Sequence, residues 1–437
     1  MSTLSTNRRN LLLGMGAAAG GTLARTLSPA QAAEAAPAAD GAHAADAPSP
    51  YAVASERQPF YGAHQAGIVT PRPANGLVAA FNAVVREPAD LEALLRRLTE
   101  RIVFLTQGGQ PPELDPKLPP SDSGVLGPAI APDDLTITVS LGASLFTERP
   151  WLAGHAPRQL QRMTQFPNDA LEPDLCHGDL ALQFCANTQD TVIHALRDIV
   201  KNMSEFLVLR WLQDGNVPPV VKRNPDGTRQ SARNFLGFRD GTANPDSTDT
   251  AEMDRIVWVG AGRGEPDWAV GGSYQAVRII RNFVERWDRT PLQEQQHIIG
   301  RKKASGAPLD GHREHDVPHY VSDAAGKTTP LDAHIRLANP RQATTEENLI
   351  LRRPFNYSNG ATRNGQIDQG LLFIVYQADL EKGFITVQNR LNGEPLEEYI
   401  KPVGGGYFFV LPGVREVGGY LGQHLVAAVA SAVTIHP

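Results

Sequence analysis

The run GDLALQFCANTQDTVIHALRDIVKNMSEFLVLRWLQ, Gly178 to Gln213, decides how this chain folds. Its first ten residues read as a strand, Thr188 stands where a helix N-cap belongs, and the segment after it carries the amphipathic period of a helix. The closing EFLVLRWLQ is rich in apolar and aromatic residues and reads as a second strand. Working backwards, LTITVSL from Leu135 alternates as a strand. GLVAAFNAVV from Gly76 is a strand leading to Pro88-Ala89-Asp90, which opens a helix through LEALLRRLTERIVFL with leucines at helical spacing. The order is β-α-β-β-α-β, the pattern of a ferredoxin-like unit.

Beyond the polar linker DGNVPPVVKRNPDGTRQSAR the same order repeats. GSYQAVRIIRNF from Gly272 is a strand, TPLQEQQHIIG from Thr290 a helix, and NLILRRPFNYS a returning strand. GLLFIVYQAD, the helix LEKGFITVQNRL and the strand GYFFVLPG complete it. The expected fold is therefore α+β, two tandem ferredoxin-like domains over residues 51–215 and 216–437, with antiparallel sheets and helices on one face. The second domain carries a long insertion, Lys302 to Glu347, and insertions of that length are usually functional or disordered.

With 437 residues, 41% hydrophobic and 20% charged, the chain is long enough for two cores. At the N-terminus, Arg8-Arg9 precede a short apolar stretch that ends in Ala30-Gln31-Ala32, a cleavage pattern. Residues 1–32 read as a twin-arginine signal peptide and 33–50, Ala- and Pro-rich, as a flexible tether. The apolar stretch is too short and glycine-diluted for a spanning helix, so no stable membrane span is expected after cleavage. Cleavage removes three arginines and no acid, taking the net charge from −6 to −9, which argues against a nucleic-acid partner. The two cysteines, Cys176 and Cys185, make no disulfide framework and read as buried fillers.

Four segments carry chemistry. NFLGFRDGTANP, Asn234 to Pro245, is a glycine-rich irregular loop around Arg239-Asp240. DGHREHDVPHYVSD places His312, His315 and His319 among acids, a pattern that suits zinc or iron, although Gly311 and Pro318 argue against a regular helix there. LDAHIRLANPR sets His334 between apolar neighbours, as a core histidine or as an axial donor to haem iron, with basic residues beside it that suit propionates. LILRRPFNYS puts Arg352 and Arg353 on opposite faces of a strand, so one guanidinium faces inward and needs an acid or an anionic ligand.

Taken in order inside a doubled β-α-β-β-α-β pattern, these segments resemble the dye-decolourising peroxidase family, in particular its twin-arginine-exported deferrochelatase/peroxidase branch. The resemblance runs from about Pro59 to the end and includes PFYGAHQAGI, GLLFIVYQADLEKGF and GGGYFFVLPG. It implies haem b as cofactor, held from below by His334, with Asp240 and Arg352 as the catalytic pair on the opposite side. Gly241, Thr242 and Ala243, together with Asn339, Pro340 and Arg341, match stretches that line the haem.

The implied partners are hydrogen peroxide and a small-molecule reductant or haem itself, with components of an iron-uptake system and a second copy of the chain as a homodimer. Asp240 would shuttle the proton that peroxide cleavage moves, and Arg352 would supply fixed positive charge. A carboxylate behind His334 is expected, from Asp332, Glu397 or Glu398. Trp258, Trp268, Trp287 and Tyr407 are candidate electron relays to bulky donors. Two readings compete: a haem- or iron-handling binding protein with incidental turnover, and a non-haem metalloprotein built on His312, His315 and His319.

Overall fold

The computed structural model describes residues 57–218 and 222–435; the leader and tether expected over residues 1–50 lie outside the described residues. Each expected element forms close to its expected place. Thr188 caps the helix Gln189–Asn202, its Oγ1 accepting from the Thr191 backbone N–H. The helix Pro88–Gln107 starts with proline at its first position, where no N–H is needed, and the N–H of Glu87 donates to Asp90.

In the first half, β1 (Asn75–Ala83), β2 (Thr136–Gly142), β3 (Leu180–Ala186) and β4 (Leu207–Asn216) stand in the order β2-β3-β1-β4. In the second, β5 (Ser273–Asn282), β7 (Phe355–Ala361), β8 (Ile367–Gln377) and β9 (Ile400–Val410) repeat that arrangement as β9-β5-β8-β7. All pairings are antiparallel. The two halves join twice, β2 with β9 through Ser140–Gly142, and β4 with β7 through the single pair Asn216 and Asn356. These joints close the strands into one ring, so the two sheets expected from the sequence are continuous. The last strand, β9, lies between β5 and β2 and so belongs to both halves.

The returning strand NLILRRPFNYS is broken into β6 (Leu351–Arg352) and β7. Pro354 has no N–H to give the ladder, and both pieces pair with β8 on either side of it. The alternation around the break holds: Leu351 packs inside the ring, Arg352 faces out, and Arg353 returns inside. Arg353 is buried, yet among the described residues no acid answers it. Its Nη1 donates to the Thr70 carbonyl at 2.6 Å and Nη2 to that of Pro71 at 3.1 Å.

Those carbonyls belong to the segment Gln65–Arg72, which fills the ring. Gln65 Nε2 donates to the carbonyls of Val139 and Leu411, each at 2.8 Å, and Gln183 Nε2 to that of Gly67 at 3.0 Å. The Thr70 and Pro71 carbonyls therefore do for Arg353 what a counterion was expected to do, and the glutamine amides hold their segment inside the ring. The helices Pro88–Gln107 and Gln189–Asn202 cover the outer face of the first half, packing on Leu77, Ala79 and Phe81. Cys176 and Cys185 are free and buried. Trp258, Trp268, Trp287 and Tyr407 are buried as well; Trp287 and Trp268 give their indole N–H groups to the carbonyls of Leu236 and His155. Among the described residues no helix is long and apolar enough to cross a membrane.

Candidate active site

Helices cover less of the outer sheet face in the second half. There a cavity opens between Ile280, Leu371 and Phe373 on the strands and three chain segments above them: the loop Asn234–Pro245, the short helix His334–Ala338, and the stretch that follows the helix Thr386–Leu391.

The loop is built by its own asparagines. Asn234 Oδ1 accepts from the backbone N–H of Leu236 and of Phe238, both at 3.2 Å, while Gly237 takes the positive φ of 85° that the turn requires. Asp240 N–H then donates to the Ala232 carbonyl at 2.8 Å. Asn244 locks the far end: its Nδ2 donates to the Arg352 carbonyl at 3.0 Å and its Oδ1 accepts the Arg352 N–H at 2.8 Å. This reciprocal amide clamp spans 108 positions of sequence and brings the loop onto β6. The result is an ion pair, Arg352 Nη1 to Asp240 Oδ1 at 2.7 Å, at the cavity wall. Gly241, with φ 118°, has open space where a side chain would stand.

His334 opens its helix, and its Nδ1 lies 2.8 Å from Glu394 Oε2 and 3.0 Å from Oε1. Glu394 is the carboxylate expected behind the histidine, in place of Asp332, Glu397 or Glu398. Asp332 and Glu398 are exposed, and Glu397 lines the cavity without meeting the imidazole. The turn Asn392-Gly393, with Gly393 at φ 81°, reverses the chain and carries Glu394 back under the ring. Burial works against the charged imidazole, but the charge and hydrogen bond of Glu394 outweigh it, and the His334 pKa is raised. With Nδ1–H committed to the carboxylate, Nε2 is the nitrogen left to a metal.

Arg390 fixes the other end of that helix, donating to the carbonyls of Leu337 and Ala338, both at 3.0 Å, and to Asn348 Oδ1 at 2.8 Å. Sequence reading passed over Arg390, Asn244 and Glu394, since each acts across a fold contact that no local pattern announces. Gly241, Thr242, Ala243, Asn339 and Arg341 line the cavity, and Pro340 sits between the last two without lining it. Arg239, beside Asp240 in sequence, turns away to Ser231 and Gln230.

The histidines of the insertion do not converge. His315 Nε2 meets the Arg229 carbonyl at 3.1 Å and His319 Nδ1 lies 3.5 Å from Asp310. Among the described residues no three His, Cys, Asp or Glu side chains come together as a metal cage. A metal at His334 must therefore bring most of its ligands with it, as a porphyrin does. The apolar walls suit a flat tetrapyrrole, and Arg301 and Arg341 among the lining residues suit its carboxylates.

A carboxylate-backed imidazole facing an acid and a guanidinium across an apolar cleft belongs to the class of haem peroxidases, which need an iron ligand on one side and a proton carrier on the other. The family comparisons agree: residues 65–216 match the Dyp-type peroxidase, N-terminal model, and residues 231–415 the Dyp-type peroxidase, C-terminal model. The chain belongs to the Dyp-type peroxidase family and is a haem-dependent peroxidase. Among its relatives, a deferrochelatase of Shigella sonnei is 59% identical over 373 residues, covering 85% of this chain and 88% of the relative. A deferrochelatase of Shigella flexneri is 55% identical over 421 residues, 96% of this chain and 97% of its own. Of solved structures, ferric DtpA from Streptomyces lividans matches with a TM-score of 0.75 at 34% identity, covering 86% of this chain and 98% of that one. A DyP-type peroxidase from Cellulomonas bogoriensis matches with a TM-score of 0.75 at 36% identity, covering 85% and 98%.

Replacing Glu394 by Gln keeps the shape but takes the charge from behind His334. Haem affinity is expected to fall by about 10- to 100-fold, the usual cost of losing such a partner, read by titrating haem into the haem-free protein.

Proposed function

We propose that this protein cleaves hydrogen peroxide with Asp240 and Arg352 acting over haem b held by His334, and that it also releases iron from haem. One observation carries the reading: the 2.7 Å Asp240–Arg352 pair and the 2.8 Å His334–Glu394 pair line one cavity. Bound haem supplies the redox-active iron. Asp240 takes the proton from one oxygen of peroxide and returns it to the other, which leaves as water. Arg352, with 27% of its side chain exposed, stabilises the negative charge that builds on the departing oxygen more than it would in open water. Asn244 holds the backbone of Arg352 so that the guanidinium needs no reorganisation as charge develops.

Gly241, Thr242, Ala243, Asn339, Pro340 and Arg341 form the bed of the haem in this proposal. The two halves are read as tandem ferredoxin-like units, residues 51–215 and 216–437, and the shared strand order supports this. Export by the twin-arginine route to the periplasm or the extracellular space is proposed on Arg8-Arg9 and the apolar stretch that ends in Ala30-Gln31-Ala32. A place beside components of an iron-uptake system is proposed only as a consequence of the iron release proposed above. A homodimer is proposed on general grounds, closed two-fold assemblies being the commonest among soluble oligomers.

Iron release is tested by incubating the haem-loaded protein without oxygen or peroxide and following iron-free porphyrin by its fluorescence. Accumulation supports release, and its rate set against peroxide-dependent dye oxidation ranks the two activities. Haem that stays intact under every reducing condition overturns the release arm and leaves the peroxidase.

A further inference from the structure

The insertion segment DGHREHDVPHYVSD holds no metal cage, yet one of its acids is the most enclosed carboxylate near the catalytic loop. Glu314 has 0% of its side chain exposed. Its Oε1 accepts from the Ser231 N–H at 2.9 Å and the Thr242 hydroxyl at 3.1 Å, and its Oε2 from Asn224 Nδ2 at 3.1 Å. Arg239 Nε stands 3.8 Å from Oε2, an ion pair without a hydrogen bond. Arg301, the residue before the insertion, donates Nη1 to the carbonyls of Gly306 and Glu314, at 2.6 and 2.9 Å, and so fixes the backbone of the acid.

The partners of Glu314 bracket Asp240. Arg239 precedes it, Thr242 follows two positions later, and Ser231 sits on the opposite arm, where Arg233 pairs with Arg239 and Ala232 accepts the Asp240 N–H. Space for this junction is kept by Gly306, at φ 79°: a Cβ there would lie 2.6 Å from Arg239 Cγ and 3.3 Å from Glu314 Cγ. A buried charge costs several kcal/mol unless it is fully bonded, so such a site keeps its partners where they are.

We infer that Glu314 is a positioning residue for peroxide cleavage: it clamps both arms of the Asn234–Pro245 loop and thereby sets where the Asp240 carboxylate stands. The inference rests on the proton role proposed for Asp240. It gives the long insertion a function other than metal binding, as the outer buttress of the catalytic loop. The acid is suited to that role. Burial alone would lift its pKa, but the bonds from Ser231, Asn224 and Thr242 outweigh it and hold the group below the usual carboxylate range. Its contribution to stability is thus present above the unfolded value of about 4.3 and lost only as pH falls through the lower folded value. The charged groups facing it are Arg233, Arg239, Arg301 and His315, all of which favour its ionised form when positive.

The test uses full-length, haem-loaded protein carrying E314Q, D240N or both. Backbone hydrogen–deuterium exchange over Ser231–Ala243 is measured together with the second-order rate of reaction with hydrogen peroxide. E314Q is expected to speed exchange in that segment and slow the peroxide step about tenfold, a modest share of the ~100-fold that a 1 Å displacement costs. In the D240N background it should slow the reaction no further. Unchanged exchange overturns the inference, and so does an equal loss in both backgrounds, which would mean that Glu314 acts other than through Asp240. Should D240N alone leave the rate intact, the proton role of Asp240 falls, while the exchange data still decide whether Glu314 holds the loop. If E314Q fails to retain haem, Thr242→Val and Asn224→Ala each remove one donor and carry the same comparison.

Discussion

Alanine at position 334 is expected to leave a protein that folds but does not retain haem, without a Soret band after haem incubation and with peroxide-dependent dye oxidation at background. His334 is the imidazole that lines the cavity, and its Nε2 is the donor left after Nδ1 is bound to Glu394. The loss has a second cause. Glu394, with 3% of its side chain exposed, would be left as a buried carboxylate without its partner. His334 keeps 32% of its side chain exposed, so the cost stays below the ~3–5 kcal/mol typical of breaking a fully buried pair, and the variant still folds. Adding free imidazole should restore part of the Soret band by filling the hole with the missing donor. A full complement of haem in the alanine variant would show that another group holds the iron.

The second large effect concerns the opposite wall. Asp240→Asn removes the proton carrier but keeps the shape of the loop, so haem should remain bound while reaction with peroxide slows by about 10³-fold, within the range for general acid–base catalysis. Arg352→Leu is expected to cost about 10²- to 10³-fold, the range for removing one preorganised stabiliser of developing charge. Arg352→Lys should recover little, because an ammonium cannot reproduce the guanidinium geometry that meets Asp240 at 2.7 Å. The double variant should fall well short of the product of the single losses, since the two groups act as a unit. Stopped-flow absorbance reads all four rates. Variants as fast as the parent, with Soret bands intact, would remove the pair from the chemistry.

Much of this is legible in the sequence, and for identifiable reasons. Thr188 before an amphipathic run, Pro88 at a helix entrance and the alternation of GSYQAVRIIRNF are local signals, and local signals place elements well. The juxtaposition of Asp240 with Arg352, 112 positions apart, came only from resemblance; no periodicity in the chain predicts it. Glu394 was missed because a turn at Gly393, and not helical or strand spacing, aims it at His334. Arg353 shows a different failure. The inward guanidinium was foreseen, but its partners are backbone carbonyls of Gln65–Arg72, and nothing in a sequence marks which carbonyls will be free. Pro354 was visible throughout, and it is why the strand expected as one piece is two.

The position of β9 bears on how the molecule comes into being. Of the described strands β9 is made last, and it is inserted between β5 and β2, so it completes the second half and seals one of the two seams at the same stroke. The other seam is a single residue pair, too little to hold a ring by itself. Contacts between Ser140 and Val410 close a loop of most of the chain, and closures of that span make folding slow. Synthesis must therefore have passed Val410 before the barrel exists. Until then a nascent chain carries an open sheet edge, which is a template for self-association.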